Sequence, residues 1–166
     1  MSRLFTRRRL IGAAGAVGLA PLAGSSGVSA APRPSGPLIT LLTPIRAFDS
    51  RVDRTLLGGA KLATGKSVII SVPGFPDETR LLLAVFANVT IVDTEGSGFL
   101  LVNGADSSGE RPVPKTSNIN WSTNGQILAN LVLTTVGSES GIEVFAGGAG
   151  RTHFIVDIQA YIPFVG

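Results

Sequence analysis

From residue 38 onward, short apolar and β-branched runs alternate with clusters of Gly, Pro, Asn, Asp and Ser. No long stretch carries the 3.6-residue apolar rhythm that an amphipathic helix requires. The pattern predicts strands at 38–48 (interrupted at Pro44), 67–72, 81–92, 99–102, 117–122, 126–136, 142–145 and 152–162. In the last of these, Phe154, Val156, Ile158, Ala160 and Ile162 fall on one face. His153, Asp157, Gln159 and Tyr161 fall on the other, beside Ile155. The run 81–92 is nearly continuously apolar, as in a strand covered on both faces. Asn124-Gly125 is the sharpest hairpin signal, since both residues tolerate the positive φ of a type I′ turn. Ile119 and Trp121 share a face opposite Asn118 and Asn120, so the single tryptophan should point into the core. Asn118, Asn120 and Asn130 would then satisfy turn and loop backbone groups. Together these features predict an all-β protein, an antiparallel two-sheet β-sandwich of jelly-roll-like kind, with no significant helix after the leader.

The leader itself is residues 1–31. A basic start, a Gly/Ala-rich apolar stretch at 10–23 and a small-residue end read as an export signal. That stretch is shorter than the roughly 20 residues needed to span a bilayer. Thr6-Arg7-Arg8-Arg9-Leu10-Ile11 resembles a twin-arginine signal, carried by Arg7 and Arg8. Cleavage fits after Ala30 or Ala31. A Pro/Gly/Ser spacer at 32–37 precedes one domain at 38–166, and the protein is expected to be exported, to the cell surface or beyond. Removing the leader leaves ten Lys+Arg against eleven Asp+Glu, a net charge of −1 rather than +3. Such a chain lacks the basic footprint of a nucleic-acid binder and the polybasic patch of a membrane-surface protein. No later segment is apolar for long enough to span a membrane, so no integral membrane segment is expected after signal removal.

With no cysteine, thiol nucleophiles, thiolate metal sites and disulfides are excluded. The single histidine, His153, lies about 13 Å along the strand from Asp157, too far for a charge-orienting hydrogen bond. No Gly-x-Ser-x-Gly elbow occurs. "DTEGSG" at 93–98 imitates the start of a calcium loop but has Gly104 at the twelfth position, so it reads as a turn. No cofactor is expected. The segment 46–54 concentrates Arg46, Asp49, Arg51, Asp53 and Arg54. Asp49, Arg51 and Asp157 are candidate structural ion pairs, with Asp157 the expected partner of Arg51. Arg54, Asp77, Asp106, Glu110 and Arg111, on or beside long loops, form a candidate binding surface.

Several motifs occur in order: Phe48-Asp49-Ser50-Arg51, "LLGGAKL", a strand before "VPG", "AVFANVTIVDTEGSGFLLV", Thr116 to Trp121, "ILANLVL" and "IVDIQAYI". In this the chain resembles the β-sandwich module of secreted actinobacterial exoproteins, over about residues 48–162. The resemblance implies a non-catalytic domain, found alone or appended to hydrolases and peptidoglycan-acting enzymes, with Asp49, Arg51 and Asp157 at its charged positions. It carries over no binding residues.

The leading expectation is an exported, non-catalytic module that binds the cell surface, polysaccharide or peptidoglycan. The alternatives are a self-assembling structural or surface-layer-type subunit, forming a homo-oligomer, and a small hydrolase using loop carboxylates such as Asp106 or Glu110.

Overall fold

The structure is a computed structural model that describes residues 39–73, 82–105, 115–137 and 141–163. The leader, with Arg7, Arg8, Ala30 and Ala31, lies outside the described residues. So do Asp77, Asp106, Glu110 and Arg111 of the candidate surface. Nine strands are described: β1 (Thr40–Asp49), β2 (Leu62–Ala63), β3 (Ser67–Ser71), β4 (Leu82–Glu95), β5 (Gly98–Gly104), β6 (Ile119–Trp121), β7 (Leu128–Thr135), β8 (Gly141–Gly148) and β9 (Arg151–Pro163).

They form two antiparallel sheets. The first runs β1-β9-β4-β7, with β2 also paired to the start of β9; the second runs β3-β8-β5-β6. This is the strand order of a jelly roll, in which most successive strands pass from sheet to sheet and two Greek keys close on one core. The inner faces meet in a single apolar layer. Val85, Ala87, Val89 and Ile91 of β4, with Phe154, Val156 and Ile158 of its neighbour β9, face Leu100 and Val102 of β5 and Ile142, Val144 and Ala146 of β8. Burying a side chain of this size stabilises the fold by about 1.5–3 kcal/mol each. The Phe48 and Phe154 rings, 5.1 Å apart and tilted by 35°, add their own contact across β1 and β9.

Trp121 is buried with Ile119, as their alternation predicts. Its ring lies across the backbone of Gly98, where a Cβ would sit 2.5 Å from the indole, so only glycine leaves room. The indole Nε1 donates to the Glu95 carbonyl at 3.4 Å.

Four local expectations are corrected. The apolar run in β4 is not covered equally on both sides: its inner residues are fully buried, while Phe86, Asn88, Thr90 and Val92 on the outer face are half-buried. A bulge in β9 sets Phe86 opposite Ala160 but Ala87 opposite Ile158, leaving Gln159 unmatched. One extra residue reverses the alternation beyond it. Tyr161 therefore turns into the core instead of lying beside Asp157, and its hydroxyl donates to the Pro73 carbonyl, while Ile162 is only half-buried. Asp93, Thr94 and Glu95 belong to β4, with Asp93 at φ 52° in a register break between Val92 and Glu95, and the turn proper is Gly96-Ser97. Asn124-Gly125 does not close a hairpin. β6 and β7 lie in different sheets, and Gly125 alone has positive φ. Buried Thr94 organises this crossover instead: its hydroxyl donates to the Thr123 carbonyl at 2.6 Å and accepts the Gln126 amide at 2.8 Å.

Candidate functional site

Three places concentrate polar or aromatic chemistry. The first is the end of β1. Asp49 is buried and accepts from Arg51 at Nε (2.9 Å), Nη2 (2.7 Å) and the backbone amide (3.1 Å). Those bonds hold its carboxyl below the usual carboxylate range against the opposing pull of burial. Asp157 does not pair with Arg51. Its partner is Arg46, directly opposite in the β1–β9 ladder, at 2.8 and 3.1 Å in a two-pronged contact. Arg46 also reaches Asp49 at 3.5 Å. Asp49, Arg51 and Asp157 thus sit in one chain of charges with Arg46 linking Asp157 to Asp49; Arg51 is taken by its near neighbour Asp49, and Asp157 by the arginine opposite it in the ladder.

Next to Asp49, Ser50 ties β1 to β9. Its amide donates to the Phe154 carbonyl (3.0 Å), and its hydroxyl oxygen accepts the Phe154 amide (2.9 Å). The same hydroxyl lies 3.0 Å from His153 Nδ1. Burial, reinforced by nearby Lys61, pushes the His153 pKa down. Ser50 is fully buried, so this serine–histidine contact joins two strands and offers no accessible nucleophile.

The second place is the opposite side of β9's start. Lys61 sits between Asp93 and Glu95, 2.7 Å from each, and Arg151 meets Glu95 at 2.6 Å. Beside them lies an open depression of about 360 Å³ edged by Thr64, Glu95, Gly96, Gly150 and Arg151. The lysine ammonium fills the position between the two carboxylates. Among the described residues no group of three or more His, Asp and Glu is arranged to hold a metal ion. Arg54 is likewise engaged within its own loop, donating to the Gly58 carbonyl at 3.0 Å.

The third place was not legible beforehand: the outer face of the second sheet. Since Leu100, Val102, Val144 and Ala146 point inward, Phe99 and Phe145 point outward. Both are half-buried, with ring centroids 6.4 Å apart and planes 47° from parallel. Phe99 lies over Gly147, where a Cβ would collide with the ring. Exposed Asn120 pairs with Phe99 across β5–β6, and exposed Asn103 lies on the same face two residues beyond Leu101. Asn118 and Asn130 are spent on backbone groups: Asn118 Oδ1 accepts the Val102 amide, and Asn130 Nδ2 donates to the Asn118 carbonyl, both at 2.6 Å. Asn120, expected to act the same way, instead faces solvent on this patch.

No helix among the described residues is long and apolar enough to cross a membrane. No protein-family model matches the chain, and no curated protein is significantly similar to it. The resemblance to secreted β-sandwich modules therefore rests on its motifs alone.

Proposed function

We propose that this is an exported, non-catalytic β-sandwich protein that binds polysaccharide or peptidoglycan at the cell surface. The observation that carries the reading is the outer face of the second sheet, with Phe99 and Phe145 side by side and the amides of Asn120 and Asn103 at their margin. A sugar ring has an apolar C–H face and a rim of hydroxyls. Phenylalanine faces suit the first, and amides, which both donate and accept, suit the second. A flat strand surface suits an extended polymer better than a small molecule, which prefers a deep concave pocket. The leader with Arg7 and Arg8 supports the export part of the proposal. Non-catalysis is supported by the described acids and bases around β1 and β9, which hold one another in ion pairs and hydrogen bonds.

The test is retention of purified protein on insoluble peptidoglycan and on a panel of polysaccharides. Saturable retention on one matrix is expected, weakened about tenfold, or 1.4 kcal/mol, by Phe99→Ala or Phe145→Ala. Retention on none of the matrices, or retention indifferent to both substitutions, would overturn the proposal.

A further inference from the structure

The two sheets end in four edges, and three of them are protected in familiar ways. β1 carries Pro44, Arg46 and Asp49 and two register shifts against β9. β3 has five residues and β6 only three. Short strands, prolines, charges and bulges all discourage another strand from pairing. β7 has none of these. It runs eight residues in unbroken register with β4, and the segment 127–136 contains no charge, proline or glycine. Among the described residues no strand pairs on its far side. Ile127, Leu131 and Leu133 are 68%, 57% and 56% exposed, and Leu131 and Leu133 stand on the outer face beside Asn88 and Phe86. The second sheet stops at short β6, inward-facing Leu128 is exposed as well, and among the described residues the side-chain link across this side is Asn130 Nδ2 donating to the Asn118 carbonyl.

We infer that β7 is the interface for a second copy of this chain, paired antiparallel about a twofold axis. The composition of the edge selects that occupant. A charged strand would be desolvated there with no countercharge within 127–136 to receive it. The fitting partner is a long, flat, uncharged strand with free backbone groups, and β7 is the one strand edge described in this protein that meets the description. Antiparallel self-pairing is isologous: each copy presents the same patch, and Leu131 and Leu133 of one meet those of the other. The two five-stranded sheets become one continuous sheet. Growth stops at two copies, because the edges left outermost are the protected β1 strands. The contact is at the small end of specific interfaces, so a dissociation constant on the order of micromolar is expected.

The experiment is mass by light scattering and sedimentation of the purified exported chain across a concentration series, without any carbohydrate, so that it stands apart from the proposed binding function. The expected result is a monomer–dimer equilibrium. Leu131→Lys and Leu133→Lys should each shift it at least tenfold toward monomer, with unchanged circular dichroism. Leu41→Lys, an exposed leucine on the opposite edge, should leave it as it is. A monomer at every concentration up to about 200 µM, an open-ended polymer, or a dimer insensitive to Leu131→Lys and Leu133→Lys would each overturn the inference.

Discussion

β1 and β7 border the same five-stranded sheet, yet they are finished in opposite ways. β1 is irregular: its ladder with β9 slips twice, and its last residues are fastened by Asp49, Ser50 and Arg46. β7 is regular, uncharged and mostly apolar, and besides its ladder with β4 its side-chain tie is Asn130 to the Asn118 carbonyl. Irregularity on one side shows that this sheet can be closed to further pairing. Charges at a strand edge serve two purposes, holding the strand to its neighbour and keeping other strands away. Where both are missing, as on β7, the backbone is left available.

The strongest test of that contrast is on stability. Asp49→Ala removes the acceptor for three Arg51 donors and should lower the unfolding free energy by about 2 kcal/mol, measured by urea titration. The cost stays below the 3–5 kcal/mol typical of broken buried pairs because Arg51 and Arg46, 43% and 53% exposed, regain water. On the other edge, Leu131→Lys should change monomer stability by less than about 0.5 kcal/mol.

Acid should separate the edges next. His153 titrates lower in the native protein than its ordinary value of 6.5. Between the two values the unfolded chain takes up a proton that the native one refuses, so stability falls as pH drops through 6.5 and then levels off. Asp49 and Glu95, both held below their ordinary values by arginine and lysine partners, supply a second loss as pH falls below about 4. His153→Gln should erase the first step in a pH series of thermal melts and leave the second. With no titratable group in 127–136, self-association of β7 should not follow either step while the protein remains folded.

The smallest effect is expected at Asp157. Its partner Arg46 is half exposed, so Asp157→Asn should cost about 0.5 kcal/mol and flatten the salt dependence of stability without affecting mass.

Much of the sandwich was legible because each strand carries its own period. Trp121 and Ile119 declared their inward face within three residues. The failures occur where one residue alters the count. The bulge at Gln159 turns Tyr161 inward, and Asp93 in its left-handed conformation extends β4 past a stretch that looks like a turn. β2 is two residues in a glycine-bearing loop, too short to show any period. Asn124-Gly125 misled because a hairpin signal reports local φ preferences, and the sheet to which the next strand goes is decided by distant partners. For the same reason neither the Phe99–Phe145 face nor the bare side of β7 could be read from the chain. Both depend on which strands become neighbours, and Arg46 joined Asp157 only through a ladder between residues 111 positions apart.

That ladder also bears on how the protein comes into being. β9 lies between β1 and β4, so the last of the described strands in chain order sits inside the first sheet, between two strands that precede it. Until it leaves the ribosome, β1 has no hydrogen-bonding partner and the aromatic face of Phe48 has no Phe154 to meet. The jelly roll therefore cannot be assembled piecemeal from its leading end during synthesis. It closes in one late, topologically demanding step, with the slow folding expected when contacts join distant parts of a chain, and a nascent chain stalled before β9 would display the open flanks of two strands to whatever chaperone or neighbour is at hand.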